Sequence, residues 1–254
     1  MANYGHIIFY SLIGGVFSLT GAIILLVFMG KKNFADKIII YATPFAAGAL
    51  LAAVFLDLLK EGLAESSADS VLVATLVGII VFFFAEKFLR WFHHHHQHGD
   101  EKPAISLIIA GDTIHNAMDG VAIASAFLIN VPTGIVTTLA VAAHEIPQEI
   151  GDFGLLLSRG MSRAKVLWVN IVSALATTLL AVITFALGSS NKLPVGPLLG
   201  LSAGFLLYIA MSDIIPEIHE RSPKKKLFDI QPLLLLTGVA VVAVSIQLVH
   251  HFVG

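Results

Sequence analysis

Cysteine is absent from this 254-residue chain, which excludes disulfides and thiolate metal sites together. Any metal bound here must be held by imidazole, carboxylate, amide or thioether. Charge is scarce too. Asp, Glu, Lys and Arg make up 13% of the residues, against about 25% in soluble domains, while 57% are hydrophobic and mean hydropathy is +0.88. A soluble globular class is thereby excluded and a lipid-embedded one expected. The net charge of −2 points to no partner, and nucleic acid is not expected as one. No basic leader precedes the first apolar stretch, about Ile7 to Met29, which is longer than a signal core, so no cleavable signal is expected.

What is present is length in apolar runs. Windows of about 20 apolar residues, enough to cross a hydrocarbon core of about 30 Å, occur near 6–29, 38–60, 71–91, 104–129, 133–158, 164–188, 195–219 and 231–253. Backbone groups in lipid need internal partners, so every span is expected to be helical. The expected fold is all-α: a polytopic membrane protein of eight transmembrane helices, forming a single domain over 1–254. Basic residues set its orientation. Lys31, Lys32, Lys37, Lys87, Arg90, Lys102, Arg159, Arg163, Lys165, Arg221, Lys224, Lys225 and Lys226 flank one side, and only Lys60 and Lys192 the other. The loops after helices one, three, five and seven are expected in the cytoplasm, and both termini outside. The lack of a targeting segment and the small size suggest a prokaryotic inner membrane, with an organelle as the alternative.

An internal repeat adds a second layer. "AAGALLAAVFLDLLKE" (46–61) aligns without gaps to "SAGFLLYIAMSDIIPE" (202–217) with six of sixteen positions identical, Asp and Glu among them. By the charge count helix two runs outward and helix seven inward, so the repeated units are expected to be inverted, with helices 1–3 related to 6–8 around helices 4 and 5. Chance likeness between Leu- and Ala-rich helices is the plain alternative; the shared acids argue against it.

Polar residues concentrate where lipid should be. In "GDTIHNAMDG" Asp112, His115, Asn116 and Asp119 fall at i, i+3, i+4 and i+7 and share one helical stripe. In "HEIPQEIGD" His144 and Gln148 are four apart, and Glu145, Gln148, Glu149 and Asp152 repeat the stripe. A carboxylate at a span's centre costs about 2.5–3.5 kcal/mol, so five of them in lipid would cost well over about 10 kcal/mol. Helix–helix hydrogen bonds, near 0.6 kcal/mol each, do not offset that. The two stripes are expected to face each other around a wet or metal-filled interior near the midplane. Pro147 lacks an N–H and is expected to kink its helix and free the carbonyl of Ala143.

"HNAMDG" on one helix and "HEIPQE" on the next resemble the signature of the ZIP family of divalent-metal transporters. "YIAMSDIIPE" in helix seven and a histidine-rich loop after helix three fit as well. The resemblance implies transport of Zn2+, or of Fe2+, Mn2+ or Cd2+, toward the cytoplasm, the ion being cargo with no catalytic cofactor, and a homodimer in the bilayer. It implies a metal site of His115, Asn116, Asp119, His144, Glu145 and Gln148. Imidazole and carboxylate suit that role independently, since they bind borderline ions without the grip of several thiolates. Gln148 stands where many members have His or Glu, and the polar residues of helix six are only Asn170, Ser173, Thr177 and Thr178. One strong site with a weak neighbour is therefore expected.

Further candidates line a pathway. Asp57 and Glu61 lie in the outer half of helix two, where Asp57 is expected to complete the site or feed it. Asp213, Glu217 and His219 lead inward from helix seven, with Asp112, Asp152 and Glu149 along the way. Carboxylates reaching for interfacial water are the alternative, most of all for Glu61. The loop 92–103 holds His93, His94, His95, His96 and His98, a cytoplasmic cluster able to buffer metal or to serve as a plain polar linker. His6, His250 and His251 are expected at the outer interface. Gly196, Gly200 and Gly204 form small-xxx-small steps for close helix packing, within the chain or between protomers.

Alternating access is the expected mechanism, with protonation of His144 or Glu145 aiding release. A divalent-cation channel is the principal alternative. A membrane metalloprotease is the other, because "HEIPQ" resembles HExxH, but Gln148 replaces the second histidine.

Overall fold

A computed structural model describes residues 2–28, 34–94, 102–190, 193–221 and 230–253, and among these the regular structure is entirely helical. The helices form eight runs. We label them α1 (Tyr4–Phe28), α2 (Phe34–Ala53, continued by Val54–Leu58 and Leu59–Glu65), α3 (Ala68–His94), α4 (Lys102–Ile129), α5 (Val131–Ser158), α6 (Arg163–Ser189), α7 (Val195–Ile209, continued by Ala210–Ile214 and Ile215–Arg221) and α8 (Gln231–Val253). Seven of the eight expected apolar windows fall inside one of them, and 6–29 does so as far as Phe28, Met29 lying outside the described residues. Among the described residues, stretches of five helices are long and apolar enough to cross a membrane: Ile40–Glu65, Ala68–Phe88, Arg163–Ser189, Val195–Glu220 and Gln231–Val249. α4 and α5 are as long as the others and carry the acids and imidazoles.

Large apolar side chains cover the outside. Leu233 and Leu236 of α8, Phe84 and Phe88 of α3 and Trp168 and Leu179 of α6 are all exposed. In water such faces would drive aggregation; in hydrocarbon they carry no penalty.

Inside, α4 packs most extensively on α6, α3 on α7, α2 on α8 and α1 on α5 and α6; α2 meets α5, and α7 meets α4, across the middle. Glycine permits several of these approaches. A methyl added at Gly204 of α7 would overlap the Thr75 carbonyl of α3, and one at Gly78 of α3 would overlap the Leu201 carbonyl. The α2–α8 pair is built alike, with Gly48 against the Leu235 carbonyl and Gly238 against the Phe45 carbonyl. The small-xxx-small steps on α7 thus serve contact within the chain, as Gly200 faces Val71 and Gly196 faces Ser66 and Gly62.

One feature differs from the expected continuous α-helices. Val54–Leu58 in α2 and Ala210–Ile214 in α7 are π-helical turns, and they occupy equivalent positions of the two aligned sixteen-residue segments. Asp57 and Asp213 fall at the fourth residue of each turn. π-bulges widen a helix locally and often accompany functional sites.

Candidate metal centre

α4 and α5 lie side by side, joined by Asn130 alone. His115 and Asp119, one turn apart on α4, meet His144 and Glu145 of α5, so that one donor atom from each of the four lies within 4.8 Å of the others. His115 Nε2 is 3.0 Å from His144 Nε2, 3.5 Å from Glu145 Oε1 and 3.8 Å from Asp119 Oδ2. His144 Nε2 is 3.5 Å from Asp119 Oδ2 and 3.7 Å from Glu145 Oε1. Tetrahedral Zn2+ with bonds of about 2.0–2.2 Å has donor–donor edges of about 3.3–3.6 Å, and the observed separations straddle that range.

The cluster is shut away from solvent: Asp119 and His144 are 0% exposed, Glu145 1% and His115 5%. Neither carboxylate oxygen of Asp119, nor of Glu145, has a hydrogen-bond partner. Buried carboxylates without partners are costly, and a divalent cation between them removes that cost. The second ring nitrogens are held from outside. His144 Nδ1 is 3.2 Å from the carbonyl of Ala140, which can only accept, so Nδ1 carries the proton and Nε2 presents a lone pair to the centre. His115 Nδ1 is 3.1 Å from Gln148 Nε2.

The other sequence candidates sort by neighbour. Asn116 is buried but turned to α6: its Nδ2 donates to the Asp112 carboxylate (2.9 Å) and to Ser173 Oγ (3.2 Å), and its Oδ1 accepts from Thr177 Oγ1 (3.0 Å). Gln148 touches His115. Asp112 and Glu149 are buried, Glu149 with both oxygens unpartnered, and Asn170 of α6 is buried with its amide nitrogen unpartnered. Asp152 lies within electrostatic reach of Asp112, Asp213 and Glu217.

Asp57 sits away from the cluster. It is buried in the α2 π turn and accepts from Thr137 Oγ1 of α5 at 3.5 Å, its other oxygen unpartnered. Thr137 and His144 share a face of α5, seven residues or about 10 Å apart. Glu61 is half-buried beside Lys60 (3.6 Å). Asp213 and His219 are exposed on α7 and Glu217 is half-buried. The side chains of His93 and His94, and residues His95, His96 and His98, lie outside the described residues, as does the side chain of Pro147, at whose position α5 continues as α-helix. The two stripes give no hint of Phe205 of α7, whose ring stands edge-on to His115 at 5.6 Å.

A sequence profile described as ZIP zinc transporter matches residues 103–246, more than half of the chain. Among curated relatives, a zinc transporter ZIP10 of Danio rerio is 36% identical over 58% of this chain and 18% of its own length. A metal cation symporter ZIP14 of Xenopus tropicalis is 35% identical over 53% and 30%, and a zinc transporter ZIP13 of Pongo abelii 31% identical over 80% and 65%. The chain thus spans under a third of the first two relatives and about two thirds of the third. All three are named as transporters or a symporter, not as enzymes, and all three are from eukaryotes, which lends nothing to the prokaryotic setting expected from the sequence.

Proposed function

The chain belongs to the ZIP family of zinc transporters, and from that premise we propose that it is a secondary transporter of Zn2+, or of Fe2+, Mn2+ or Cd2+, carrying the ion toward the cytoplasm by alternating access. The observation that carries this reading is the enclosed quartet of His115, Asp119, His144 and Glu145, with separations suited to a tetrahedral ion and with both carboxylates unpartnered. Two imidazoles and two carboxylates hold such an ion without thiolates, which suits a carrier that must let go. Asn116 and Gln148 complete the six-residue ligand set expected from the resemblance.

Ions reach the quartet from Asp57 and Glu61 and leave past Asp112, Glu149, Asp213, Glu217 and His219. In support, Asp57 accepts from Thr137, which lies about two turns of α5 from His144 on the same face, and Asp152 links Asp112 electrostatically to Asp213 and Glu217. All eight helices span the bilayer, with both termini outside and the loop 92–103 in the cytoplasm, where its histidines hold metal; the loop charges support that orientation. α1–α3 and α6–α8 form an inverted repeat, supported by the matched π turns and glycine contacts. We extend the reading to a homodimer on the family resemblance alone.

The test is Zn2+ uptake into proteoliposomes, with Fe2+, Mn2+ and Cd2+ as competitors. A carrier saturates at micromolar metal; flux that stays unsaturated over millimolar metal is the behaviour of a channel and contradicts alternating access. Wild-type uptake by the His115→Ala chain would overturn the site.

A further inference from the structure

An imidazole turns easily about its Cβ–Cγ bond, because that torsion has broad wells, so the plane of a ligating ring is set by its neighbours. His144 Nδ1 is anchored at 3.2 Å to the Ala140 carbonyl of its own helix. The rings beside His115 come from other helices. The His144 ring of α5 stands 5.2 Å from it, centroid to centroid, and the Phe205 ring of α7 stands 5.6 Å from it at an angle of 71°. The first is a fellow ligand. Phe205 has no donor atom and bears on the site only through the place and plane that it leaves to His115.

Phe205 is 1% exposed, and its own place is set from α3. Phe82 and Glu86 are four residues apart on α3, and Phe205 and Tyr208 are three apart on α7, so each pair shares a helical face. The two faces interlock. Phe82 meets Phe205 at 4.6 Å and 77°, and Tyr208 at 5.3 Å and 66°; edge-to-face ring pairs at such separations attract. At the end of the stack the Tyr208 hydroxyl donates to Glu86 Oε2 at 2.6 Å, which ties the two helices together within the apolar stretch Ala68–Phe88. Glycine lets the backbones close up at this level, since a methyl at Gly78 would press on both the Leu201 carbonyl and the Phe205 backbone nitrogen. Metal transport as described above uses none of Phe82, Glu86, Phe205 or Tyr208.

Resting on the metal-site reading above, we propose that Phe205 is a positioning residue of the metal centre. Seated by Phe82, and through Tyr208 by Glu86, its ring fixes the plane of His115, so that α3 and α7 set the geometry of a site whose quartet stands on α4 and α5. The grip on the ion then depends on where α7 stands against α4. A movement of α3 and α7 together withdraws Phe205 and loosens one ligand, which links affinity to conformation. Groups that orient ligating histidines change metal affinity by about 10- to 100-fold when altered.

The test uses the full chain in bilayers, labelled with 15N-histidine, and 113Cd2+ as the ion. Calorimetry gives the Cd2+ Kd, and solid-state NMR gives cadmium–nitrogen coupling ring by ring, assigned with His115→Gln and His144→Gln. Both rings couple in the unaltered chain. Phe205→Leu is expected to raise Kd by about tenfold or more and to weaken the coupling at His115 while His144 stays coupled. A wild-type Kd with both couplings intact reduces Phe205 to packing and overturns the proposal. Equal loss of coupling at both rings marks a general loosening and overturns it too. Cd2+ that couples to neither ring of the unaltered chain overturns the metal site, and the positioning role with it.

Variants further from the ion decide the matter even if Phe205→Leu does not fold. Tyr208→Phe keeps the ring against Phe82 and removes only the bond to Glu86. It is expected to raise Kd by about two- to tenfold, the net effect of one hydrogen bond, again with the loss confined to His115. Glu86→Leu should match it, the double variant should add nothing further, and Glu86→Gln, which still accepts from the hydroxyl, should keep the wild-type Kd. A wild-type Kd in both Tyr208→Phe and Glu86→Leu removes α3 from the support of the site and overturns the proposal.

Discussion

Replacing Glu145 by glutamine keeps the shape of the quartet and removes one charge, so it separates the electrostatics of the centre from its packing. In the metal-free chain Glu145 and Asp119 are buried, unpartnered and within 4.8 Å of each other. Two like charges at that separation repel by about 3.5 kcal/mol at an effective dielectric of about 20. Water, side-chain relaxation and a proton shared between the two carboxyls reduce it, and the new amide can also donate to Asp119. Each kcal/mol moves the unfolding midpoint of a chain this size by about 2–4 °C, so Glu145→Gln is expected to raise the metal-free midpoint by several degrees. With metal the order reverses. An ion at a hundred times its Kd stabilises the wild type by about 2.7 kcal/mol, and the variant loses most of that because a neutral amide replaces one of two anionic donors. The assay is thermal unfolding of the detergent-solubilised chain, with chelator and across a Cd2+ titration. The electrostatic account fails if Glu145→Gln lowers the metal-free midpoint, or if the variant keeps the wild-type rise with Cd2+.

Asp57→Asn removes a carboxylate bonded to Thr137, which lies about 10 Å from His144 along α5, and is expected to raise KM for Zn2+ uptake several-fold while leaving Cd2+-induced stabilisation intact; loss of that stabilisation would place Asp57 in the centre itself. Gly204→Ala inserts a methyl against the Thr75 carbonyl and should destabilise the chain by about 1–3 kcal/mol, read as a lowered unfolding midpoint in detergent. Gly48→Ala, at the equivalent place on α2, should behave alike, and a neutral effect at either position would show that the helices can part freely. Replacing His93, His94, His95, His96 and His98 by serine should leave the uptake rate at saturating Zn2+ unchanged, since none of them belongs to the quartet; abolished uptake would make the loop part of the path.

Helix positions were legible because apolar runs of the length of a span have few alternatives. The convergence of His115, Asp119, His144 and Glu145 was legible because five carboxylates on two adjacent helices leave them little choice but to face inward. Helical spacing alone does not assign each polar side chain its partner. Asn116 follows His115 by one residue, about 100° around the helix, enough to turn it from α5 toward Ser173 and Thr177 of α6. Two facing stripes contain no information about that third helix. Gln148 has the spacing of a ligand to His144, yet its amide reaches His115. The π turns were illegible for another reason: "VFLDL" and "AMSDI" are ordinary helix-forming residues, and nothing local marks an extra residue in the turn.

The repeat runs deeper than its six identities. The aligned segments differ by 156 in number, and at that offset Val54–Leu58 falls on Ala210–Ile214, Gly48 on Gly204 and Phe45 on Leu201. Gly48 and Gly204 each lie under a carbonyl of a packed neighbour, Leu235 and Thr75, while the carbonyls of Phe45 and Leu201 lie over Gly238 and Gly78. One packing unit is therefore used twice. Its two acids nevertheless differ in surroundings: Asp57 is 1% exposed and bonded to Thr137, whereas Asp213 is exposed and paired with Ser212. Because the local backbone device is the same, the difference must come from what each turn faces. A chain with one mouth closed and the other open would have this asymmetry, and exchange of the two surroundings is what alternating access through paired units requires.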